Sequence, residues 1–174
     1  MREKTQKEKL EDMLKRPIPK KKIGIVHLEM VKESRCLYGM RRFTDPKEAV
    51  ETIRPLYERA DREMLLIMSL NAKLEPQAVE IAAVGGLEVC TLDVRSIFKH
   101  ALLNNASSVM CFHNHPSGDV TPSLIDKQAT RKLEQAGKLL GVELVDHIIL
   151  GDKGAFYSFR QNGELPGMDE AYSA

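Results

Sequence analysis

The sequence contains no tryptophan, and aromatic residues make up only 5% of its 174 residues. It therefore offers few large side chains on which unpaired bases could stack. Long apolar runs are missing as well, since stretches such as MLLIMSL and HIIL are far shorter than the roughly 20 residues that a membrane-spanning helix needs. The N-terminus is charged where a signal peptide would be apolar. We expect a soluble, cytoplasmic protein that has no membrane partner.

Cysteine is scarce too. The chain has three, Cys36, Cys90 and Cys111, which are widely spaced and form no CxxC pair. An odd and dispersed set indicates neither a disulfide framework nor a zinc site built from thiolates. We expect reduced thiols, and we expect Cys111 to be a small buried residue and not a metal ligand.

Basic charge is concentrated at one end of the chain. The formal net charge is +1, but residues 1–22 contain nine lysines and arginines against four acids, a net charge of +5 that leaves the remaining residues at −4. A basic segment can bind nucleic acid by neutralising phosphates, although charge runs are more often solvated extensions. Nucleic-acid binding is therefore an alternative for residues 1–22, because the rest of the chain has no basic excess.

Three regions are predicted along the chain. Residues 1–22 form a basic leader, because Pro17 and Pro19 stop any helix that begins before them. Residues 23–160 form one domain, which is long enough to bury a hydrophobic core of its own. Residues 161–174 are expected to be a C-terminal tail.

The domain is predicted to be α/β (α+β), with a central mixed β-sheet flanked by helices. Alternating apolar and polar residues predict strands, and apolar residues three and four positions apart predict helices. The expected strands are 25–31, 62–71, 78–86, 107–115, 143–150 and 155–159, and the expected helices are 45–60, 93–105 and 124–141. The strands 62–71 and 78–86 are expected to pair as a hairpin. Pro55 should bend the first helix, and Gly141 should end the last one.

Two histidines and one aspartate can converge at the end of a predicted strand. His113 and His115 are two residues apart, so both side chains point to the same face of an extended strand. Asp126 falls in the first turn of the following helix, from which its carboxylate can reach back toward the strand end. Two imidazoles and one carboxylate suit four-coordinate zinc and leave one position for water, as in catalytic sites. One more acid is then needed to accept a proton from that water.

Each of these residues also has an ordinary structural explanation. A single histidine in a strand is more often hydrogen-bonded than bound to metal, and Ser123 with Asp126 matches a helix capping box.

The consecutive residues His-Asn-His do not indicate an HNH nuclease, in which the three are spread along the chain. His27 and His100 belong to no motif, and we expect them to have no function. His147 is expected to be structural, with a place beside the metal site as the alternative.

The order of the motifs is more informative than any one of them. HNHPSGD at residues 113–119 is followed by PSLID at 122–126 and by DHII at 146–149. This arrangement resembles the JAMM metalloprotease signature and is similar to its RadC branch over roughly residues 24–160. The resemblance implies the layout shared by JAMM domains and cytidine deaminases.

The resemblance also implies roles for individual residues. One Zn2+ ion per chain would be held by His113, His115 and Asp126. Ser123 would hydrogen-bond the reacting oxygen or the water on the metal, and an upstream strand glutamate would be the general base. The segment around Cys90 departs from the usual pattern, in which a smaller residue stands at that position, and we interpret this as a difference in packing.

Three glutamates lie on or beside apolar strands and compete for the role of general base: Glu63, Glu80 and Glu88. Glu63 begins the strand REMLLIMSLN, where burial would raise its pKa toward that of a base. The family pattern also has an acid at this place. We therefore prefer Glu63 to Glu80, while an ordinary acid at the solvent edge of the sheet is the structural alternative for Glu63.

The preferred function is that of a zinc-dependent metallopeptidase of the JAMM type, which cleaves an amide or isopeptide bond in a peptide substrate. The first alternative is a RadC-like accessory protein of DNA repair or recombination. The second is a scaffold domain without catalytic activity. Long RadC-type proteins carry a helix-hairpin-helix DNA-binding module, and this chain is expected to be a short form without it. For the oligomeric state, a homodimer is kept as an alternative to a monomer.

Overall fold

The computed structural model describes residues 42–58, 60–85 and 93–165, together with Lys7, Glu11, Lys15 and Val31. The chain divides into two compact units, Met1–Val31 and Lys32–Ala174. In the first unit, the amide of Lys15 donates to the carbonyl of Glu11 at 3.2 Å, as in a turn of helix.

Several predictions fall outside the described residues and stay predictions. These are the boundary near residue 22, the strand at 25–31 with His27, the segment 86–92 with Glu88 and Cys90, and Cys36. Nucleic-acid binding by residues 1–22 also stays a prediction, because only three positions of this leader are described.

The described residues of the second unit form three α-helices and five strands. The helices are α1 (Pro46–Ile53), α2 (Val94–Leu103) and α3 (Leu124–Leu140), and the strands are β1 (Met64–Leu70), β2 (Pro76–Val84), β3 (Ser108–Asn114), β4 (Glu143–Leu150) and β5 (Phe156–Ser158). Within the described part of the chain, no helix has the length and apolar character needed to cross a membrane.

The five strands form one mixed sheet in the order β2-β1-β3-β4-β5. β1 pairs antiparallel with both β2 and β3, β3 pairs parallel with β4, and β4 pairs antiparallel with β5. The parallel step from β3 to β4 requires a crossover connection, and α3 supplies it. These elements confirm the predicted α/β domain with a central mixed sheet, and they confirm the hairpin of β1 and β2.

Helices cover both faces of the sheet. On β3, Val109 and Cys111 belong to the core cluster that includes residues of α2 and α3, whereas Met110 and Phe112 belong to the cluster that includes residues of α1. Successive residues of β3 therefore point to opposite faces of the sheet, and both faces of this strand are buried. His113 continues the row of Cys111 and lies on the face covered by α2 and α3. Cys111 is buried, as the sequence predicted.

The predicted helix starts and the end of the last helix agree with the structure, whereas the first helix, predicted over residues 45–60, ends earlier, at Ile53. The side chain of Asp45 accepts from the amide of Lys47 and caps α1, and the helix gives way at Pro55 to a short 3-10 turn at Arg54–Leu56. Ser123 caps α3, which ends at Gly141 in the left-handed region with φ +68°. These helix caps and helix ends could be predicted from the sequence because they depend on neighbouring residues alone.

The predicted C-terminal tail begins too early. Residues 161–165 are described, and Leu165 is only 9% exposed and joins the core cluster on the α2 and α3 side of the sheet. The Glu164 carboxylate lies 2.9 Å from Lys127 Nζ and accepts the Tyr157 hydroxyl at 2.7 Å. Residues 161–165 therefore belong to the packed domain.

Replacing Gly137 with alanine is expected to destabilise the domain, although alanine is the better helix former by about 1 kcal/mol. A Cβ atom at Gly137 would lie 2.5 Å from the carbonyl oxygen of Val142. The start of β4 and the end of α3 would have to move apart, at a cost of about 1–3 kcal/mol. Urea denaturation should show a lower free energy of unfolding for Gly137→Ala but no loss for Gln135→Ala at an exposed position of α3. Equal stability of Gly137→Ala and wild type would contradict this packing.

Candidate metal centre

The structure brings His113, His115 and Asp126 together where β3 ends and α3 begins. One potential ligand atom from each residue lies within 4.8 Å of the other two. His113 and Asp126 are buried, and His115 is partly exposed. The three residues that the sequence singled out for a metal therefore form a cluster that could hold one metal ion.

The spacing of the donor atoms fits zinc. His113 Nε2 lies 3.0 Å from His115 Nε2 and 3.3 Å from Asp126 Oδ1, and His115 Nε2 lies 3.6 Å from Asp126 Oδ2. Ligand atoms about 2.05 Å from a tetrahedral zinc ion lie about 3.3 Å from one another. Each observed distance is close to that value, and the two Asp126 distances belong to different oxygens, so a rotation of the carboxylate would bring one oxygen to the ion together with both imidazoles.

The turn after β3 orients His115. Gly118 has φ +81°, a conformation that favours glycine, and its amide donates to the His115 carbonyl at 2.9 Å. The turn places the carbonyl of Asp119 2.6 Å from His115 Nδ1. Because a carbonyl can only accept, Nδ1 carries the proton. In the neutral imidazole, Nε2 then presents a lone pair to the cluster.

His113 is held from behind by a second buried histidine. His147 on β4 lies with its Nε2 2.9 Å from His113 Nδ1. Its Nδ1 is 2.6 Å from Thr130 Oγ1 on α3. Burial lowers the pKa of His147 well below its usual value. The sequence favoured a structural role for His147, with a place beside the metal site as the alternative, and the structure places it in contact with the candidate ligand His113.

Asp126 is a candidate metal ligand and also forms the capping box of α3 with Ser123. Asp126 Oδ2 accepts the Ser123 amide at 2.7 Å and the Ser123 hydroxyl at 2.6 Å, while the Asp126 amide donates to Ser123 Oγ at 3.1 Å. Oδ1 remains directed at His113. Burial raises the pKa of this carboxyl, but its contacts with the two histidine rings and the hydrogen bond from Ser123 outweigh burial and hold the pKa well below its usual range. Capping and metal coordination are therefore compatible in one residue.

Glu63 immediately precedes β1 and lies near the cluster. Leu65 is paired with His113 in the sheet, and strand alternation places Glu63 on the same face as Leu65. The hydrogen bond to Asp126 contributes most to raising the pKa of His115, and the negative charge of Glu63 acts in the same direction. The preferred general base is thus within electrostatic range of a candidate ligand.

Asn114 fixes the backbone on both sides of Glu63. Its Oδ1 accepts the amide of Met64 at 2.8 Å, and its Nδ2 donates to the carbonyl of Arg62 at 3.2 Å. Asn114 is itself buried between the two histidines of the motif. The residue in the middle of His-x-His therefore anchors the segment that carries the preferred base.

Glu80, the alternative base, is engaged elsewhere. It lies on β2, and its Oε2 is 2.5 Å from Nδ1 of His100 on α2. His100 is buried, and burial is the largest effect that lowers its pKa. Because its carboxylate faces His100, Glu80 takes no part in the cluster formed by the three candidate ligands.

Three contributors to the site were missed by the sequence analysis. They are Thr130, the side chain of Asn114 and the carbonyl of Asp119. Thr130 follows Asp126 by four residues, one helical turn, and this spacing was the available signal. The contact of Asp119 depends on the turn geometry, and a backbone carbonyl leaves no trace in a sequence.

Asp146 is a second buried carboxylate, on β4 beside His147. Its Oδ1 accepts the amides of His147 at 2.8 Å and Arg160 at 3.0 Å, and its Oδ2 accepts the Ser158 hydroxyl at 2.5 Å. Burial raises the pKa of this carboxyl to about 6, and the hydrogen bonds oppose the shift only in part. Asp146 therefore fastens the chain after β5 to the sheet.

The raised pKa of Asp146 makes stability depend on pH. Because the folded value of about 6 exceeds the ordinary 3.8, the folded protein binds the extra proton, and this contribution to stability is lost as pH rises from about 4 to about 6. Asp146→Asn removes the ionisation. Its free energy of unfolding relative to wild type should increase by up to about 3 kcal/mol over that interval, at about 1.4 kcal/mol per pKa unit. Urea denaturation at several pH values measures this, and parallel stability curves would contradict it.

Comparison with known proteins agrees with this fold and cluster. The family model of the RadC-like JAB domain matches residues 43–164, which is more than half of the chain. The chain therefore belongs to the RadC-like JAB domain family. The match contains all three candidate ligands together with Glu63 and Ser123.

Individual relatives carry the name UPF0758 protein. One from Halalkalibacterium halodurans is 42% identical over 105 residues, which cover 60% of this chain and 45% of the relative. One from Thermotoga maritima is 43% identical over 105 residues, 60% of this chain and 47% of the relative. One from Listeria monocytogenes serotype 4b is 36% identical over 143 residues, 82% of this chain and 59% of the relative. The chain spans about half the length of the curated relatives it matches.

Proposed function

We propose that the protein is a zinc-dependent hydrolase that cleaves an amide or isopeptide bond in a peptide substrate. The observation that carries the proposal is the cluster of His113, His115 and Asp126, in which one potential ligand atom from each residue lies within 4.8 Å of the others. Three protein ligands leave one position for water or substrate, which is the composition of catalytic sites. Membership of the JAB domain family supports this reading.

A bound zinc ion would supply Lewis acidity, polarising a carbonyl and making a water molecule nucleophilic near neutral pH. Glu63 accepts the proton of the attacking water and passes it to the leaving amine. Asn114 keeps the backbone of Glu63 in place through its hydrogen bonds to Arg62 and Met64. These bonds fix the point from which the Glu63 side chain extends, which contributes to the orientation that the reaction requires.

Ser123 has two roles in the proposal. Its hydroxyl holds Oδ2 of Asp126 and so turns the carboxylate toward the histidines. Because Ser123 is exposed at the start of α3, the same hydroxyl can turn to a substrate oxygen on which negative charge develops. One hydrogen bond of this kind contributes about 3–4 kcal/mol to transition-state stabilisation in other hydrolases.

The proposal is tested by incubating the wild-type protein with a library of proteome-derived peptides and a set of lysine isopeptides, followed by mass spectrometry. Cleavage is expected with one zinc ion per chain, is expected to stop on chelation, and should return when zinc is restored. Asp126→Asn provides the matched control for contaminating proteases, because it changes a single candidate ligand. Cleavage that persists in Asp126→Asn, or none with a zinc-loaded wild-type protein, would contradict the proposal.

A further inference from the structure

A chain of buried polar groups runs behind the metal cluster. The Thr130 hydroxyl lies 2.7 Å from the backbone carbonyl of Asp126 and 2.6 Å from Nδ1 of His147. Nε2 of His147 lies 2.9 Å from Nδ1 of His113. Thr130 and His147 are each at most 2% exposed. Two of the candidate ligands, His113 and Asp126, are therefore connected by a relay of two further side chains.

The directions of the first two hydrogen bonds in this relay follow from its end at the carbonyl. A carbonyl oxygen only accepts, so the Thr130 hydroxyl donates its single proton to Asp126. The oxygen of Thr130 can then only accept from His147. His147 Nδ1 must therefore carry a proton.

The same reasoning extends to the metal ligand. In a neutral His147 that is protonated on Nδ1, Nε2 has a lone pair and accepts from His113. His113 is then protonated on Nδ1, which leaves the lone pair of its Nε2 directed at His115 and Asp126. The opposite direction would put a proton on Nε2 of His113, where it would block coordination.

A stacking contact keeps the middle of the relay in place. The rings of His147 and Phe159 are nearly parallel, with centroids 5.0 Å apart. His147 thus has one ring face against Phe159 and both nitrogens engaged. It cannot rotate about its ring axis without breaking both hydrogen bonds.

We propose that Thr130 and His147 are positioning residues that set the tautomer of His113 and so prepare the cluster for a divalent metal ion. The metal part of this proposal rests on the proposed zinc site, whereas the direction of the relay does not. The fixed tautomer has a functional consequence, because His113 then needs no change of tautomer when the ion binds. Partners behind metal-binding histidines typically change metal affinity 10- to 100-fold.

Long-range proton–nitrogen NMR correlation of the 15N-labelled wild-type protein tests the relay directly. Metal-free and zinc-loaded protein at neutral pH are both expected to show His147 as the Nδ1-protonated neutral tautomer and His113 with a proton on Nδ1. A proton on Nε2 of His147 in the metal-free protein would overturn the proposal. This measurement requires no substitution and gives an answer even when zinc does not bind.

Two variants then separate a positioning role from packing alone. Thr130→Val keeps the shape but removes the hydroxyl, and it should weaken zinc binding about 10- to 100-fold in competition with a chelator. Thr130→Ser restores the hydroxyl and should bind zinc about as tightly as wild type. Ser69→Ala removes a different buried hydroxyl and should also leave the affinity unchanged.

The outcomes distinguish this proposal from the proposed function. Wild-type affinity in Thr130→Val would overturn the relay and leave the hydrolase proposal intact. A wild-type protein that binds no zinc would overturn the hydrolase proposal, while the metal-free NMR spectrum would still decide the tautomers. Equal losses in Thr130→Val and Thr130→Ser would also count against the relay, because the hydroxyl would then be irrelevant.

Discussion

His115→Ala and Asp126→Asn are each expected to lose the bound zinc, from about one ion per chain to almost none after dialysis. Each variant leaves two protein ligands, whereas catalytic zinc sites use three. Asn at position 126 keeps the size of the side chain but replaces the anionic oxygen with an amide. Metal analysis of the dialysed proteins measures the loss. Glu51→Gln, which removes an exposed carboxylate on α1, should keep its zinc.

Thermal unfolding gives an independent measure of the same prediction. A ligand that binds only the folded state stabilises it by about 2.7 kcal/mol at a free concentration of 100 times its dissociation constant. Zinc should therefore raise the melting temperature of wild type but not that of His115→Ala or Asp126→Asn. An equal shift in all three proteins would place the ion somewhere other than this cluster.

Glu63→Gln is expected to lower hydrolysis about 10²- to 10⁴-fold while the protein keeps one zinc ion per chain. The amide has the size of the carboxylate but accepts no proton, and general base catalysis contributes a factor of that order. The rate of cleavage of a peptide found in the library experiment measures the loss. Metal analysis of the same samples separates a lost base from a lost ion.

Glu80→Gln is the matched control for Glu63→Gln. Glu80 lies on β2, the other strand of the hairpin that Glu63 precedes, but its carboxylate contacts His100. Its replacement should leave turnover unchanged wherever the variant is folded, as judged by circular dichroism. A larger loss in Glu80→Gln than in Glu63→Gln would reverse the assignment of the base.

The ligands could be predicted because they are close in sequence. His113 and His115 need only the alternation of a strand, and Asp126 needs only a turn followed by a capped helix. These patterns survive without knowledge of the tertiary fold. The relay could not be found in the same way, because the contact of His113 with His147 spans 34 residues and depends on the parallel register of β3 and β4.

The choice between Glu63 and Glu80 shows a second limit of the sequence. Both residues precede or occupy apolar strands, and periodicity alone gives them similar surroundings. The structure separates them, because the register of β1 brings Leu65 opposite His113 while α2 brings His100 to Glu80. Leu165 illustrates the same limit. It lies in a segment that has no apolar periodicity, and it is buried only because distant residues of the core pack against it.

Anomalous diffraction at the zinc edge, from crystals of the zinc-loaded protein, tests the central claim most directly. We predict one peak per chain, about 2.0–2.2 Å from His113 Nε2, His115 Nε2 and an Asp126 carboxylate oxygen. Glu63 should face the fourth position. A peak bonded to other residues, or no peak at this cluster in crystals that contain zinc, would contradict the account.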